Sequence, residues 1–207
     1  MSPQTTLIVL AKAPRAGLVK TRLSPTYSPA EAASLAEASL ADTLDVVEST
    51  PAARRLLVLD GPAAGWQRRG VEVVAQQGRG LDERLAYAFS LVRGPALLVG
   101  MDTPQVTPEL LDVRWDGVDA WFGPAGDGGF WALGFAAPPD PRLLLGVPMS
   151  RDDTGARQRE RLVAAGLRVG DLPELTDFDT PRDVAVVAAL APYGRFARRA
   201  AELAVHR

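Results

Sequence analysis

Few kinds of side chain are available for chemistry in this 207-residue sequence. It has no cysteine, and its one histidine, His206, is the residue before the last. Thiol nucleophiles and cysteine zinc sites are therefore excluded, and a Ser-His-Asp triad or a histidine-ligated metal would have only a terminal histidine to use. Carboxylates, cations, hydroxyls and backbone amides remain. Because hard cations take carboxylate oxygens, this inventory points to Mg²⁺ and phosphates.

Cations concentrate in one loop near the N-terminus. It contains Lys12 and Lys20, the two lysines among 23 basic residues, together with Arg15 and Arg22. The loop follows the apolar run Thr6–Ala11, whose branched residues predict a buried β-strand. Open α/β sheets bind anionic ligands at the carboxyl ends of such strands. Since the loop fits neither GxxxxGK[ST] nor GxGxxG, two interpretations stay open: a polyphosphate-binding loop or a solvated basic loop.

Carboxylates follow other predicted strands. Asp102, in Gly100–Pro104, comes after an apolar run and suits either a Mg²⁺ ligand or a helix N-cap. Asp127 is surrounded by four glycines in Gly123–Phe130. Such glycines let the backbone approach a ligand closely, but they are also typical of a tight turn between two strands. The tight turn is the favoured interpretation there.

Asp177 and Asp179 are two residues apart, so their side chains share a face if the segment is extended. One of them could complete a metal site with Asp102, while Thr180 is alternatively a plain N-cap for the helix that follows. A weaker candidate is Gln77–Leu85, a polar loop that enters a helix and could touch a base or a ribose.

Strands and helices alternate along the chain and must position these residues. The predicted strands are Thr6–Ala11, Arg55–Asp60, Val71–Ala75, Ala96–Gly100, Val118–Phe122, Phe130–Phe135 and Leu167–Val169. The predicted helices are Pro29–Glu48, Gly65–Arg69, Leu81–Val92 and Pro108–Val113, with others starting near Asp152, Pro181 and Arg195. Ser28 and Glu31 give the first of these helices a capping-box pattern. The alternation predicts one α/β domain, residues 1–207, with a mostly parallel sheet.

Charge and hydropathy exclude other classes of protein. With a net charge of −2 and a pI near 5.5, the sequence lacks the excess of positive charge that binding to nucleic acid or to an anionic membrane requires. The apolar runs are too short to span a bilayer, and the N-terminus does not look like a signal peptide, so we expect a cytoplasmic protein.

The amphipathic C-terminal stretch Arg195–Val205 is expected to dock on the core, or alternatively on a second subunit of a homodimer.

The order of the motifs resembles the nucleotide-diphospho-sugar transferase fold called GT-A. A strand and loop with KTRL come first, followed by QG..L.ERL, G.D.P, DGG and D.DTP. The resemblance runs from about Thr6 to Val187 and looks closest to a glycosyltransferase-like branch often encoded beside radical-SAM or arsenosugar enzymes. Phospholactate guanylyltransferases and molybdenum-cofactor nucleotidyltransferases look more distant. The resemblance implies a three-layer α/β/α, Rossmann-like domain with a mostly parallel central sheet.

The resemblance also implies a nucleotide-binding role for the loop from Ala11 to Arg22, with Lys20 and Arg22 on the phosphates. Two residues depart from the family pattern. Asp82 stands where relatives usually have glycine and could repel a phosphate, and Met101 replaces a small residue beside the metal-binding aspartate. The residues expected to contact the nucleotide are Ala11, Lys12, Pro14, Arg15, Gly17, Lys20, Arg22, Gln77, Gly78, Leu81 and Arg84.

For the metal, Mg²⁺ or Mn²⁺, the resemblance implies Asp102 as a ligand, with Asp177 or Asp179 contributing from the far side. Asp127 would lie near the acceptor. The residues expected to take part in catalysis are Lys20, Arg22, Asp102 and Asp127.

The preferred activity is Mg²⁺-dependent transfer of NMP from an NTP to a small anionic acceptor of the phosphate, phosphonate or arsonate type, with release of pyrophosphate. Such an acceptor is already ionised and needs no histidine base, and a loop with lysines and arginines suits a triphosphate better than a diphosphate. One alternative is a glycosyltransferase that uses a nucleotide sugar, with Asp127 as its base. Another is a non-catalytic nucleotide-binding module, which is compatible with the departures from the family pattern at Asp82 and Met101.

Overall fold

The computed structural model describes residues 5–205, and His206 lies outside them. The strands in chain order are β1 (Thr6–Lys12), β2 (Arg54–Asp60), β3 (Glu72–Ala75), β4 (Ala96–Val99), β5 (Ala120–Pro124), β6 (Phe130–Phe135) and β7 (Val169–Asp171). The helices are α1 (Pro29–Ser49), α2 (Leu81–Ser90), α3 (Pro108–Leu111), α4 (Thr154–Ala164), α5 (Pro181–Leu190) and α6 (Arg195–Val205). Short 3₁₀ turns occupy Thr21–Leu23 and Pro141–Leu143.

In this described range, seven strands form one sheet in the order β3-β2-β1-β4-β6-β5-β7. The pairs β2–β3, β1–β2, β1–β4 and β5–β7 are parallel, whereas β6 runs antiparallel to β4 and β5. The predicted α/β class with a mostly parallel sheet is confirmed. β5 and β6 form a hairpin whose connection contains the predicted tight turn around Asp127.

Helices cover both faces of the sheet because the central strands are apolar on both. In β1, Leu7 and Val9 pack into a core with α1, α5 and α6, while Ile8 packs into a second core with residues of α2 and α4. Continuous apolar runs are typical of strands buried on both faces. The first turn of α1 has the predicted capping box, in which Ser28 and Glu31 bond each other's backbone N–H groups.

The predicted helix at Gly65–Arg69 is wrong. The chain turns there instead, and an isolated bridge pairs Arg68 with Val71. Gly65 and Gly70 have φ angles of +85° and +77°, a left-handed conformation that glycine adopts readily and that ends a helix. The other predicted elements exist with ends shifted by a few residues, as in the last strand, Val169–Asp171.

The C-terminal helix α6 docks on the core, as expected. Asp42 of α1 accepts hydrogen bonds at 2.9 Å from the backbone N–H groups of both Arg195 and Phe196, which caps the start of α6. The Phe196 ring is fully buried and packs on Phe178 with 4.5 Å between ring centroids. Across residues 5–205, none of the helices has the length and apolar character needed to cross a membrane.

Candidate nucleotide and metal site

An open pocket of about 610 Å³ lies where β1 and β4 end. β1 pairs with β2 on one side and with β4 on the other, so the connections that leave β1 and β4 diverge at this edge. Open α/β sheets bind ligands at such points. The lining comes from segments far apart in sequence. Among them are the cationic loop, the start of α2, the loop after β4, the Asp127 turn, the segment with Ser150, Arg151, Asp152 and Thr154, and the pair Asp177 and Asp179.

Lys20 lies at the centre of the charged groups. Its side chain is only 7% exposed, and its Nζ is 2.6 Å from Asp179 Oδ1 and 3.1 Å from Asp102 Oδ2. The ammonium also lies 4.3 Å from the centre of the Phe178 ring. Burial by itself would lower the pKa of Lys20, but the attraction of Asp102 and Asp179 outweighs it and the pKa is raised. Lys20 is therefore a fixed positive charge that links two carboxylates from different loops.

The backbone of Lys20 is left-handed, with φ +49°. A non-glycine residue in this region costs of order 1 kcal/mol, and such residues cluster at functional sites. The conformation turns the chain into the 3₁₀ segment Thr21–Leu23, where Arg22 follows. Arg22 Nη1 is 2.9 Å from Asp179 Oδ2, and its side chain is 69% exposed. Arg22 therefore remains accessible to a ligand while it contacts the acidic group.

The remaining predicted residues of the cationic loop divide into two sets. Ala11 and Lys12 line the pocket, and within the described part of the chain Lys12 makes no ion pair. Pro14, Arg15 and Gly17 lie outside the pocket lining. The loop thus presents one unpaired ammonium group, that of Lys12, to the pocket.

Three carboxylates form an acidic cluster beside Lys20. Oxygens of Asp127, Asp177 and Asp179 all lie within 4.8 Å of one another. Asp102 is not part of this triplet and is connected to it through Lys20. The structure therefore brings the predicted pair Asp177 and Asp179 together, and it adds Asp127, which the family resemblance implied to lie near the acceptor.

Burial and the neighbouring charges shift the pKa values of Asp177 and Asp179 in opposite directions. Burial, followed by repulsion from Asp127 and Asp179, raises the pKa of Asp177 to about 6. For Asp179, burial acts upward, but Lys20 and Arg22 outweigh it and the pKa is lowered. A hard divalent cation would relieve the repulsion around Asp177, and three carboxylates are the ligands such an ion prefers. The donor set therefore fits Mg²⁺ or Mn²⁺.

Of the residues expected to contact the nucleoside, Leu81 and Arg84 line the pocket, but Gln77 and Gly78 do not. The neighbouring Gln76 does so instead. Its amide donates to Ala11 O at 2.6 Å, and its oxygen accepts from Arg84 at 3.2 Å. Gly78 has φ +116°, and a Cβ there would come within 2.9 Å of Arg84 N, so it allows the tight turn before α2.

The two departures from the family pattern have structural roles. Asp82 Oδ2 accepts a hydrogen bond at 2.9 Å from Gly146 N and does not line the pocket. Its carboxylate thus joins the first turn of α2 to the loop that precedes α4. Met101 is buried and lines the pocket, and its sulfur accepts from the backbone N–H of Lys12 at 3.3 Å.

Sequence reasoning did not single out Ser150, Arg151 and Asp152, which line the pocket beside the Asp127 turn. No local motif marks them as pocket residues, because their place beside the Asp127 turn depends on a contact with Gly128, which is more than 20 positions away. One signal was present: Gly128, with φ +87°, where an added Cβ would overlap the backbone carbonyl of Asp152. A glycine forced by such an approach indicates that another segment packs there, but not which one.

Residues 39–151, over half of the chain, match the family described as "Uncharacterized protein conserved in bacteria (DUF2064)". No curated protein matches the chain significantly. Among solved structures, it is similar to a proposed nucleotide-diphospho-sugar transferase from Desulfovibrio desulfuricans G20. The TM-score is 0.81 and the identity 25%, over 97% of this chain and 98% of that one.

Two further solved structures share the fold at lower identity. One is CMP:2-keto-3-deoxy-manno-octonic acid synthetase in complex with CTP, with TM-score 0.58 and 13% identity over 91% of this chain and 98% of that one. The other is 2-C-methyl-D-erythritol 4-phosphate cytidylyltransferase from Thermus thermophilus, with TM-score 0.53 and 19% identity over 92% and 99%. The chain belongs to the DUF2064 family of bacterial proteins, on the GT-A-like nucleotide-diphospho-sugar transferase fold.

Proposed function

We propose that the protein is a Mg²⁺-dependent nucleotidyltransferase that moves NMP from an NTP to a small anionic acceptor. One observation carries this proposal: a single pocket at the ends of β1 and β4 brings cations of the N-terminal loop against a cluster of three carboxylates. Cationic side chains bind the oxygens of a polyphosphate, and carboxylates bind the divalent ion that accompanies the polyphosphate. The CTP-bound relative supports a nucleotide as the partner.

The cationic residues divide the work of phosphate binding. Lys12 is unpaired within the described residues, and Arg22 is mostly exposed, so both can bind phosphate oxygens without losing a buried partner. Lys20 sits between these positions and the carboxylates, where its fixed charge attracts phosphate on one side and Asp179 on the other. Such preorganised charge stabilises a transition state without reorganisation during the reaction.

Asp127, Asp177 and Asp179 are the proposed metal-binding cluster, and Asp102 is a further proposed ligand on the other side of Lys20. Their oxygen donors suit Mg²⁺ or Mn²⁺. When bound, the ion supplies neutralisation of phosphate charge and a template for the triphosphate.

The proposed step is a displacement at the α-phosphorus. An oxygen of the acceptor's phosphate, phosphonate or arsonate group forms a bond to this phosphorus. The bond from the α-phosphorus to the oxygen that bridges to the β-phosphorus breaks, and its electron pair leaves with pyrophosphate. No proton has to be removed because the acceptor oxygen is already ionised, which agrees with the absence of histidine before His206. Positioning and charge stabilisation are then the main contributions of the protein.

A second candidate is glycosyl transfer from a nucleotide sugar. The name given to the Desulfovibrio desulfuricans protein favours it, and so does Asp177, whose raised pKa of about 6 suits a base for a hydroxyl acceptor. Asp127, the base expected from the sequence, already accepts a hydrogen bond from Gly129 N at 2.7 Å. A third candidate is a nucleotide-binding module without turnover. Detection of any reaction product would contradict it.

Thermal stability with Mg²⁺ and a panel of NTPs, NDPs and nucleotide sugars tests the proposal. A ligand at a hundred times its dissociation constant adds about 2.7 kcal/mol to the native state. We expect a Mg²⁺-dependent shift with one NTP, and pyrophosphate release from that NTP when methylphosphonate is added as acceptor. A shift with nucleotide sugars or NDPs alone would favour glycosyl transfer. No shift with any member of the panel would contradict nucleotide binding itself.

A further inference from the structure

Residues 148–154 form a hydrogen-bonded segment that contributes Ser150, Arg151, Asp152 and Thr154 to the pocket lining. The buried Thr154 hydroxyl donates to Pro148 O at 2.9 Å and accepts from Arg151 N at 3.0 Å, which closes the segment on itself. Ser150, with φ +59°, makes the turn into Arg151. Thr154 and the left-handed turn therefore determine the backbone position of Arg151.

The same segment is anchored on the Asp127 turn. Gly155 N donates to Gly128 O at 2.8 Å, and the backbone of Asp152 lies so close to Gly128 that an added Cβ would overlap it. In the sheet, β4 lies between β1 and the β5–β6 hairpin. β1 leads into the cationic loop, and the turn of the hairpin contacts the segment that contains Arg151. Lys12 therefore enters the pocket from the end of β1, whereas Arg151 enters it from a segment that contacts the β5–β6 hairpin.

Arg151 differs from most other cations of the pocket in its free donors. Lys20, Arg22 and Arg84 each donate a hydrogen bond to a carboxylate. Arg151 has only Nε at 3.4 Å from Asp153 Oδ1, and the side chain is 60% exposed. Among the described residues, neither of its terminal nitrogens has a hydrogen-bond partner. The outer edge of its guanidinium group is available to a ligand.

We propose that Arg151 is the residue that recognises the acceptor, by binding two oxygens of a tetrahedral oxyanion such as a phosphonate or a phosphate monoester. This inference rests on the proposed function and specifies the acceptor end of the same pocket. A planar guanidinium group binds two oxygens of one phosphate-type group through parallel N–H donors, which an ammonium group cannot do. The third oxygen of the acceptor is left free to attack the α-phosphorus.

The charges near Arg151 indicate which charge and shape the acceptor group must have. Asp153 and Arg157 are already paired with each other at 2.6 Å, and Asp127 belongs to the acidic cluster. A neutral sugar would leave the guanidinium edge unused, whereas a dianionic oxyanion matches its charge and shape. The acceptor class is therefore a small organic phosphate, phosphonate or arsonate.

Calorimetric titration of the full chain with methylphosphonate tests this inference. Mg²⁺ and saturating inorganic pyrophosphate are present, so that the phosphate positions at the cationic loop are filled. We expect Arg151→Gln to weaken methylphosphonate binding at least about tenfold, since charged hydrogen bonds are lost. Arg151→Lys keeps the charge without the paired donors and should bind with intermediate affinity. Arg157→Gln is the matched control because it removes a guanidinium from the same Asp153 without touching the pocket.

The outcomes separate this inference from the proposed function. Equal methylphosphonate affinity in wild type and Arg151→Gln would overturn the inference, as would an equal loss in Arg157→Gln or no binding by the wild-type chain. Acetate bound as tightly as methylphosphonate would overturn the tetrahedral class. A separate titration of the chain with pyrophosphate and Mg²⁺ tests the proposed function: if pyrophosphate does not bind while methylphosphonate still binds in an Arg151-dependent way, nucleotidyl transfer is contradicted and the anion site at Arg151 is retained.

Discussion

Lys20 shows how one side chain holds the candidate site together. Its ammonium joins Asp179 to Asp102, and it packs over Phe178, so the loops after β1 and β4 and the segment before α5 meet on one charge. Without Lys20, Asp102 has no ion-pair partner among the described residues and Asp179 keeps only Arg22. Removing one partner of a partly buried ion pair costs more than the intact pair contributes. Lys20 therefore matters for stability as well as for ligand binding.

We expect Lys20→Met to lower the free energy of unfolding by about 2 kcal/mol. This is less than the loss of a partner from a fully buried pair costs, because Asp102 is 41% exposed and water screens it. The variant should also lose the thermal shift produced by Mg²⁺ and NTP. Urea unfolding measures the first effect. Lys12→Met is the control: we expect its stability to change by less than about 0.5 kcal/mol while its NTP affinity falls. Equal stabilities of the two variants would contradict this role of Lys20.

Asp102→Asn removes a negative charge with little change in shape. Because Asp102 is partly exposed and its carboxylate forms an ion pair only with Lys20 among the described residues, we expect folding to be retained. Metal-dependent activity should be lost if Asp102 is a metal ligand. Pyrophosphate release at increasing Mg²⁺ measures the effect, with circular dichroism as a check of folding. Full activity at the wild-type Mg²⁺ requirement would remove Asp102 from the proposed ligands.

Asp177 should make stability depend on pH when no metal is bound. Its pKa of about 6 in the folded chain exceeds its ordinary value, so the folded state holds the proton more tightly than the unfolded state does. The stability that this provides is fully present below about pH 4 and is lost as pH rises through about 6. We expect a loss of about 1 kcal/mol, discounted because the carboxylate is only half-buried and partly screened.

Urea midpoints at pH 4 and pH 7.5, measured with a chelator, compare the wild type with Asp177→Asn. The variant should lack this part of the pH dependence and should be the more stable protein at pH 7.5. Equal pH dependence in the two proteins would show that burial and repulsion from Asp127 and Asp179 do not raise the pKa of Asp177.

At the scale of elements, the contact between the Asp127 turn and the segment before α4 shapes one wall of the pocket. Gly128 has φ +87°, and the Asp152 carbonyl occupies the space where a side chain would start. Gly128→Ala should therefore displace the segment that carries Arg151. We expect a loss of at least about 2 kcal/mol in stability, together with weaker methylphosphonate binding.

Gly146→Ala is the matched control for that substitution. Gly146 also has a positive φ, +73°, but an added Cβ there would meet no atom within 4 Å. It should cost only the backbone strain of about 1 kcal/mol. Denaturant unfolding and methylphosphonate titration of both variants distinguish strain from overlap. If Gly146→Ala weakened methylphosphonate binding as much, contact with Asp152 would not be the cause.

Elements whose signals are local could be predicted from the sequence. The run Thr6–Ala11 and the capping box before α1 depend on neighbouring residues only, and both occur in the structure. The antiparallel direction of β6 and the position of Arg151 depend on contacts with distant parts of the chain. Gly65–Arg69 failed as a helix because its flanking glycines take left-handed conformations, which favour a turn.

For the molecule as a whole, the sheet order explains why the site draws on so many segments. β1 and β4 are adjacent although the chain between them contains β2, β3 and two helices, so Lys20 and Asp102 meet across a large sequence separation. Asp179 reaches the same point from the start of α5. Local sequence patterns identified these residues as candidates, but only the strand order brings their charges within contact.

The C-terminal helix α6 is connected to the candidate site through side-chain contacts. Asp42 caps α6 through the N–H groups of Arg195 and Phe196, and Phe196 packs on Phe178. Phe178 in turn lies under the Lys20 ammonium, in the short segment between Asp177 and Asp179. A chain of direct contacts therefore connects the end of the molecule to the acidic cluster.

We expect Asp42→Ala to lower the free energy of unfolding by about 2 kcal/mol, because two helix N–H groups lose their acceptor and Arg195 loses a carboxylate partner. Loosening α6 should also release Phe178 and weaken the binding of Mg²⁺ and NTP several-fold. Glu202→Gln, which breaks only the exposed pair with Arg199 on the same helix, should change neither quantity. Urea unfolding and nucleotide titration of the two variants measure both effects. If Asp42→Ala were destabilised yet bound nucleotide like the wild type, α6 would support the core without positioning the site.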